Sequence, residues 1–149
     1  MIQGGGHGAY ASMTAAAPSL PSMLNTVRAH GLRVSTARRL VLEALINAGE
    51  PQTAEQLAGA ADLASTYRNL ETLETIGLVR HVHLGHGPGR YELTGRSAGW
   101  ATCESCGAST ALPSPALQAI RLAVRENAGF EAAFTHFPIV GRCADCSRT

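Results

Sequence analysis

The spacing of apolar residues in the first half of the chain predicts a series of helices. In the first, between Ser22 and Gly31, the apolar positions are Met23, Leu24 and Val27. The second follows a capping residue, Ser35 or Thr36, and its longer apolar stripe comprises Ala37, Leu40, Val41, Ala44, Leu45 and Ala48. A Gly-Glu-Pro segment then ends it. Apolar residues three and four positions apart share one helix face, so both helices are expected to pack against a common core.

Two further helices and a hairpin complete the predicted N-terminal unit. The segment Thr53-Ala54-Glu55-Gln56 has the form of a capping box and predicts a short third helix. Ser65 is the expected cap of a fourth helix over Thr66–Ile76, in which Leu70 and Leu73 are expected to point inward. Two β-compatible runs, 78–84 and 90–93, flank a glycine-rich turn and predict a two-stranded hairpin. Helices followed by such a hairpin are typical of a winged helix-turn-helix, whose recognition helix enters the DNA major groove.

A smaller unit with helix and strand patterns follows a linker at residues 95–99. Its predicted strands are Trp100–Cys103, Ala108–Leu112, Phe130–Phe134 and Ile139–Val140. Ser114-Pro115 predicts the start of a helix that ends at Gly129. The predicted fold class is therefore α+β, a winged helix-turn-helix followed by a small α/β domain. Its predicted parts are a disordered tail at 1–20, a winged-helix domain at 21–94 and a second domain at 95–149.

Composition and charge narrow the choice of protein class. The 149 residues are 45% hydrophobic, and no apolar run approaches the roughly 20 residues of a membrane span. The net charge is only +1, but all twelve basic residues are arginine and five lie between Arg28 and Arg68. Arginine pairs bidentately with phosphate and with guanine edges. The first 19 residues lack the basic start and apolar run of a secretory signal, so we expect a soluble, cytoplasmic protein.

Two CxxC pairs, Cys103/Cys106 and Cys143/Cys146, are the strongest chemical signal in the sequence. Four thiolates in two closely spaced pairs suit tetrahedral Zn²⁺, and cysteines in a cytosolic chain favour metal over disulfides. A zinc ion held by four protein ligands is structural, because no position stays open for chemistry. Iron held by the same thiolates, a pair of disulfides and redox-active CxxC pairs are the alternatives.

The motifs over residues 22–146 together resemble the ferric uptake regulator (Fur) family of metal- or peroxide-responsive bacterial repressors. The matching segments, in order, are Gly31–Ser35, Arg38–Leu42, Thr53–Leu57, Ser65–Leu70 with Gly77–Val79, Arg90–Leu93 and the two CxxC pairs. The most specific is Ser65-Thr66-Tyr67-Arg68-Asn69-Leu70, which resembles the family's recognition helix. The resemblance implies a homodimer on a near-palindromic operator in double-stranded DNA. It also implies that the second domain dimerises and holds structural zinc.

The same resemblance implies which residues contact DNA. They are Arg33, Ser65, Thr66, Tyr67 and Arg68. Tyr67 and Arg68 would contact bases or phosphates in the major groove, and Arg33 would reach a phosphate or the adjacent minor groove. Judged without the family, Tyr67 could equally be a core aromatic and Arg68 a solvated helix charge.

The family's regulatory metal site lacks two of its usual histidines here. Gln52 stands at one position, and Ala98–Thr102 contains no His-x-His motif. The candidate ligands that remain are His81, His83, His86, Glu92 and His136, of which Glu92 occupies a family ligand position. His81 and His83 would share one face of an extended strand, and paired imidazoles bind Zn²⁺, Fe²⁺ or Ni²⁺. The alternative is that these histidines are simply exposed on the wing, some of them contacting phosphate.

Three functions are compatible with these observations. The first is a DNA-binding repressor that responds to a divalent metal held between wing and dimerisation domain. The second is the same fold with metal sensing lost, binding DNA constitutively or in response to oxidation. The third is a thiol oxidoreductase, although neither CxxC opens a helix after a strand as a thioredoxin-like site does. The sequence has no nucleophile elbow, phosphate loop or HExxH motif, so we expect no enzymatic activity.

Overall fold

The computed structural model describes residues 18–148, which form two units in the order that the sequence predicts. The first contains α1 (Leu20–Ala29), α2 (Thr36–Asn47), β1 (Gln52–Thr53), α3 (Ala54–Ala58), α4 (Leu63–Thr75), β2 (Val79–Val82) and β3 (Arg90–Leu93). The second contains β4 (Gly99–Cys103), β5 (Ser109–Leu112), α5 (Ser114–Ala128), β6 (Ile139–Gly141) and α6 (Ala144–Ser147). The predicted α+β fold is confirmed. Residues 1–17 of the predicted tail lie outside the described residues, and Leu20 begins α1 instead of belonging to the tail.

One hydrophobic core joins the helices of the first unit to its sheet. Its most buried side chains are Met23, Val27, Leu42, Leu45, Leu70, Leu73, Val79 and Leu93, none more than 1% exposed. The inward positions predicted for α1 and α4 are therefore confirmed. On α2 the buried face is displaced, because Leu40 is 55% exposed while Leu42 is fully buried.

Helix α4 begins three residues before the predicted start. Asp62 is its N-cap, and its Oδ2 accepts a hydrogen bond from the backbone N–H of Ser65 at 2.8 Å. Aspartate caps a helix as well as serine does, so α4 gains three residues by starting at Leu63. Ser65 consequently lies in the first turn of α4 and does not cap it. The predicted capping box at α3 is present, with Thr53 and Gln56 bonded reciprocally.

The wing hairpin is part of a three-stranded sheet in the order β1-β3-β2. Gln52 pairs with Tyr91 and Thr53 with Arg90, so the two residues that precede α3 form an edge strand beside β3. The sequence predicted two strands because a two-residue strand has no detectable periodicity. This extra pairing attaches the wing hairpin to the segment that precedes α3, and so to the helical part of the unit that contains α4.

In the second unit, sheet order β5-β4-β6 places the two cysteine pairs side by side. Strand β6 runs parallel to β4 after the crossover through α5, and Cys103 is in register with Gly141. The strand predicted at Phe130–Phe134 is wrong: that segment is irregular, and Phe130 is 65% exposed. The Ala132 carbonyl instead accepts a hydrogen bond from Arg121 Nε at 3.2 Å, so the segment is held against α5 and does not pair with a strand. Within residues 18–148 no helix is long and apolar enough to span a membrane.

Candidate metal centres and DNA-binding surface

The four cysteines converge as the sequence predicts. Their Sγ atoms all lie within 4.8 Å of one another, and the Sγ atoms of Cys106 and Cys143 are 3.8 Å apart. Zinc–thiolate bonds of about 2.3 Å in a tetrahedron place neighbouring sulfurs about 3.8 Å apart. All four cysteines are free of disulfides. The spacing therefore fits four thiolates around one ion better than it fits bonded sulfur pairs.

The backbone around the cysteines and the pKa values of their thiols favour a bound cation. Gly107 adopts a φ of 76° and donates its N–H to the carbonyl of Cys103 at 2.9 Å, which closes the first CxxC turn. The N–H of Cys143 donates to Cys103 Sγ at 3.3 Å and lowers the pKa of that thiol to about 6. The pKa of Cys146 is instead raised to about 12, mainly by a hydrogen bond between its side chain and that of Cys143. Without a cation the four sulfurs thus cannot all be thiolates at neutral pH, whereas a bound Zn²⁺ stabilises all four.

A second cluster joins the two units. It contains His81 and His83 from the wing hairpin and His136 from the segment before β6, with one ring nitrogen of each within 4.8 Å of the others. The rings of His81 and His136 are 4.2 Å apart at their centroids, and those of His83 and His136 are 4.8 Å apart. The N–H of His83 also donates to the carbonyl of His136 at 3.1 Å. Both the backbone and the side chains therefore bring the wing against the second unit here.

The electrostatic setting of this cluster favours the neutral imidazole of His136, the form that binds metal. Partial burial lowers the pKa of His136, and the neighbouring His81 and His83 lower it further. The ring of Phe137 stacks on His83 at a centroid distance of 5.6 Å and covers one side of the cluster. A divalent ion could therefore be held by one ring nitrogen from each of the three histidines.

Two of the five predicted regulatory ligands do not join the cluster. His86 is exposed at the tip of the hairpin, in the turn between β2 and β3. Glu92 is directly opposite Arg80 in the sheet, whereas His81 is opposite Tyr91. Side chains of neighbouring strand positions point to opposite faces, so Glu92 faces away from His81. The hairpin register, which sequence alone does not reveal, separates them.

Glu92 instead forms a buried polar network at the junction of the units. Its carboxylate is only 1% exposed, and Oε1 accepts hydrogen bonds from Arg80 at 2.6 Å and from Trp100 at 3.2 Å. Ser97 in the linker bonds to both Glu92 and Arg80. This network ties the wing to the linker and to β4 through Oε1, whereas the buried Oε2 of Glu92 has no hydrogen-bond partner among the described residues.

The predicted DNA-contact residues divide into exposed and buried members. Tyr67 is 43% exposed, and the Arg68 side chain is 73% exposed beside Asp62 at 3.9 Å. Arg33 is also exposed, and Ser65 is half-buried. Thr66 is the buried member: it is 4% exposed, and its hydroxyl donates a hydrogen bond to the Asp62 carbonyl in the first turn of α4.

One residue beside the histidine cluster was missed by the sequence reasoning. Glu74, in the last turn of α4, bonds through Oε1 to the Nδ1 of His81 and also lies 3.4 Å from the His81 backbone nitrogen. A carboxylate at a helix C-terminus interacts unfavourably with the helix dipole. The position of Glu74 was therefore a signal in the sequence that this residue has a role other than stabilising the helix.

Comparison with known proteins agrees with this architecture. The model of the ferric uptake regulator family matches residues 29–137. The peroxide operon regulator of Bacillus subtilis (strain 168) is 27% identical over 140 residues, which cover 89% of this chain and 97% of that protein. The ferric uptake regulator Fur of Helicobacter pylori, described as having three functional metal-binding sites, superposes with a TM-score of 0.70 at 19% identity, covering 89% of this chain and 97% of that one. The manganese-containing ferric uptake regulator of Pseudomonas aeruginosa superposes with a TM-score of 0.63 at 26% identity, covering 82% and 98%.

Proposed function

The chain belongs to the ferric uptake regulator family, and from that premise we propose that it is a homodimeric transcriptional repressor whose DNA binding responds to a divalent metal ion. Residues 20–94 form its DNA-binding domain and residues 95–149 its dimerisation domain. It acts in the cytoplasm on double-stranded DNA and catalyses no reaction. Its operator is near-palindromic, because a two-fold dimer presents two equivalent recognition helices.

The observation that carries the metal response is the position of the three-histidine cluster. His81 and His83 belong to the wing, and His136 belongs to the second unit. An ion bound to all three would fix the angle between DNA-binding and dimerisation domains. That angle sets the distance between the recognition helices of a dimer, which must match half-sites about 34–36 Å apart or a multiple of that distance. Imidazole ligands suit Zn²⁺, Fe²⁺ or Ni²⁺.

The four cysteines have a separate, structural role. We assign Cys103, Cys106, Cys143 and Cys146 to one Zn²⁺ that holds the end of the chain against β4. Four protein ligands leave no open coordination position, and the two pairs lie close enough to share one ion. This arrangement favours a structural site over the thiol oxidoreductase alternative.

Exposed apolar side chains on the second unit support dimerisation there. They are Leu122, Phe130, Phe137 and Val140, each between 52% and 65% exposed. So many large apolar side chains on a unit of this size are typical of a surface that another protein covers. A second copy of the chain would cover them and leave α4 of each protomer free for DNA.

Replacing Arg68 with alanine is expected to weaken operator binding by about 1–3 kcal/mol if the side chain reaches a base edge. If Arg68 contacts a phosphate instead, the plot of the logarithm of the binding constant against the logarithm of the salt concentration should become shallower by roughly 0.9. Fluorescence anisotropy at several salt concentrations distinguishes the two contacts. Arg125→Ala removes another exposed arginine, one that lies in the second unit, and is the matched control, which should bind as the unaltered protein does. Unchanged affinity and slope for Arg68→Ala would remove this residue from the interface.

The direct test of the function compares DNA affinity in two metal states. DNA fragments bound by the zinc-saturated protein are selected from a random pool, and one is labelled. Its affinity is then measured for protein that holds only the cysteine-bound zinc and for protein given excess Zn²⁺. The proposal predicts tighter binding with excess metal. Equal, sequence-specific binding in both states would instead favour a regulator that has lost metal sensing.

A further inference from the structure

The contact between Glu74 and His81 connects the histidine cluster to the recognition helix. Glu74 lies in the last turn of α4, which ends at Thr75, and a short loop then leads to β2 at Val79. Its Oε1 bonds to His81 Nδ1, and both side chains are about one-third exposed, at 36% and 33%. The cluster therefore has direct contacts with three parts of the molecule: the wing, the second unit and α4.

This contact decides which nitrogen of His81 is available to an ion. A carboxylate beside Nδ1 accepts a hydrogen bond, so it selects the tautomer whose Nδ1 carries the proton. The lone pair then lies on Nε2, on the opposite side of the ring. Histidines that ligate metals commonly donate their second N–H to a carboxylate in this way, which orients the ring and makes the ligating nitrogen more basic.

The position of Glu74 is unfavourable for the helix by itself. The C-terminal end of a helix carries partial negative charge, which repels a carboxylate in the last turn. No lysine or arginine among the described residues forms an ion pair with Glu74. His81 is thus the group that compensates its charge, and a cation bound to His81 would compensate it further.

We propose that Glu74 is a positioning residue for the regulatory ion: it orients His81 and transmits occupancy of the cluster to the recognition helix. This inference rests on the proposed metal response. Three neutral imidazoles bind the ion, and Glu74 supplies negative charge through His81 without touching the metal. When the ion binds, the hydrogen bond between His81 and Glu74 strengthens and holds the end of α4 against the wing.

The experiment uses the full chain with its cysteine site already filled with zinc. Co²⁺ is the probe, since its absorption bands report ligand type and geometry at the second site. The variants are Glu74→Gln, which keeps the size but removes the charge, and Glu71→Gln, which makes the same change one turn earlier on α4. DNA affinity is measured for each with and without the second metal, so that a direct effect on DNA cancels in the ratio.

Glu74→Gln is expected to weaken Co²⁺ binding at the second site by about 10- to 100-fold. The effect of metal on DNA affinity should shrink with it, because coupling between two ligands is reciprocal. Melting temperature without the second metal and the zinc content of the cysteine site should stay unchanged. Glu71→Gln should match the unaltered protein throughout.

The outcomes separate this inference from the function on which it rests. If the unaltered protein binds a second Co²⁺ and Glu74→Gln binds it equally well, the role of Glu74 is wrong while the metal response stands. If the unaltered protein binds no second Co²⁺, the histidine site itself is wrong. Glu74→Asp, which keeps the charge but shortens the side chain, should lie between Glu74→Gln and the unaltered protein; binding weaker than that of Glu74→Gln would also contradict the proposal.

Discussion

Cys143→Ser is expected to abolish folding of the second unit. Apparent binding free energies of structural zinc are about 10–16 kcal/mol at neutral pH, comparable to the whole stability of an ordinary domain. The unit has little other support, because Leu117 is the one fully buried residue of α5 and Ile120 and Val124 are only half-buried. Losing the ion that links the end of β6 to Cys103 should therefore release β6 from β4.

Three measurements on Cys143→Ser check this expectation. Zinc content should fall by one ion per chain, sedimentation should report monomer, and the melting transition of the second unit should disappear. Ser105→Ala, an exposed change inside the first CxxC turn, is the control and should keep zinc, dimer and melting temperature. A Cys143→Ser protein that keeps all three would show that the cysteine cluster is not a structural metal site.

His136→Ala is expected to make DNA binding independent of added metal. His136 is the one cluster ligand from the second unit, so without it an ion could no longer join the two units. Removing a residue that is hydrogen-bonded to a metal ligand typically weakens metal binding by about 10- to 100-fold. Removing the ligand itself should weaken it by at least as much. An ion held by the wing alone would bind equally well to both arrangements of the two domains. It would therefore not shift the equilibrium between them, however tightly it binds.

The control for His136→Ala is His86→Ala. It removes the same ring from the exposed tip of the hairpin, outside the cluster, and should keep the full response to Zn²⁺. Both variants should keep the cysteine-bound zinc and their dimeric state. If His86→Ala loses the response and His136→Ala keeps it, the regulatory ion is held on the wing alone and the proposed link between the units is wrong.

The helical elements and the cysteine cluster could be predicted from sequence because each depends on local spacing. The periodic apolar positions of α1 and α4 are buried as expected, and two CxxC pairs have few uses other than a shared ion. Helix α2 shows the limit of this reasoning. Its own pattern favoured Leu40 as inward-facing, but α2 packs against both α1 and α4, and that arrangement buries Leu42 instead.

The composition of the histidine cluster could be predicted only in part. Alternation along one strand placed His81 and His83 together, and His136 was among the remaining candidate ligands. Excluding Glu92 required the register between β2 and β3, and finding Glu74 required the direction in which α4 meets the sheet. Both depend on tertiary packing, which no local pattern encodes. The same holds for Thr66, whose burial depends on the earlier start of α4 at Leu63.

The most direct test of the metal-responsive account is the number of metal ions bound per chain. Protein purified without chelator would be dialysed against excess Zn²⁺, freed of loosely bound ions and analysed by plasma mass spectrometry. The account predicts two zinc ions per chain, one on the four cysteines and one on His81, His83 and His136. A single zinc that is retained in His136→Ala and lost in Cys143→Ser would contradict it, because the regulator would then hold structural zinc and no regulatory ion.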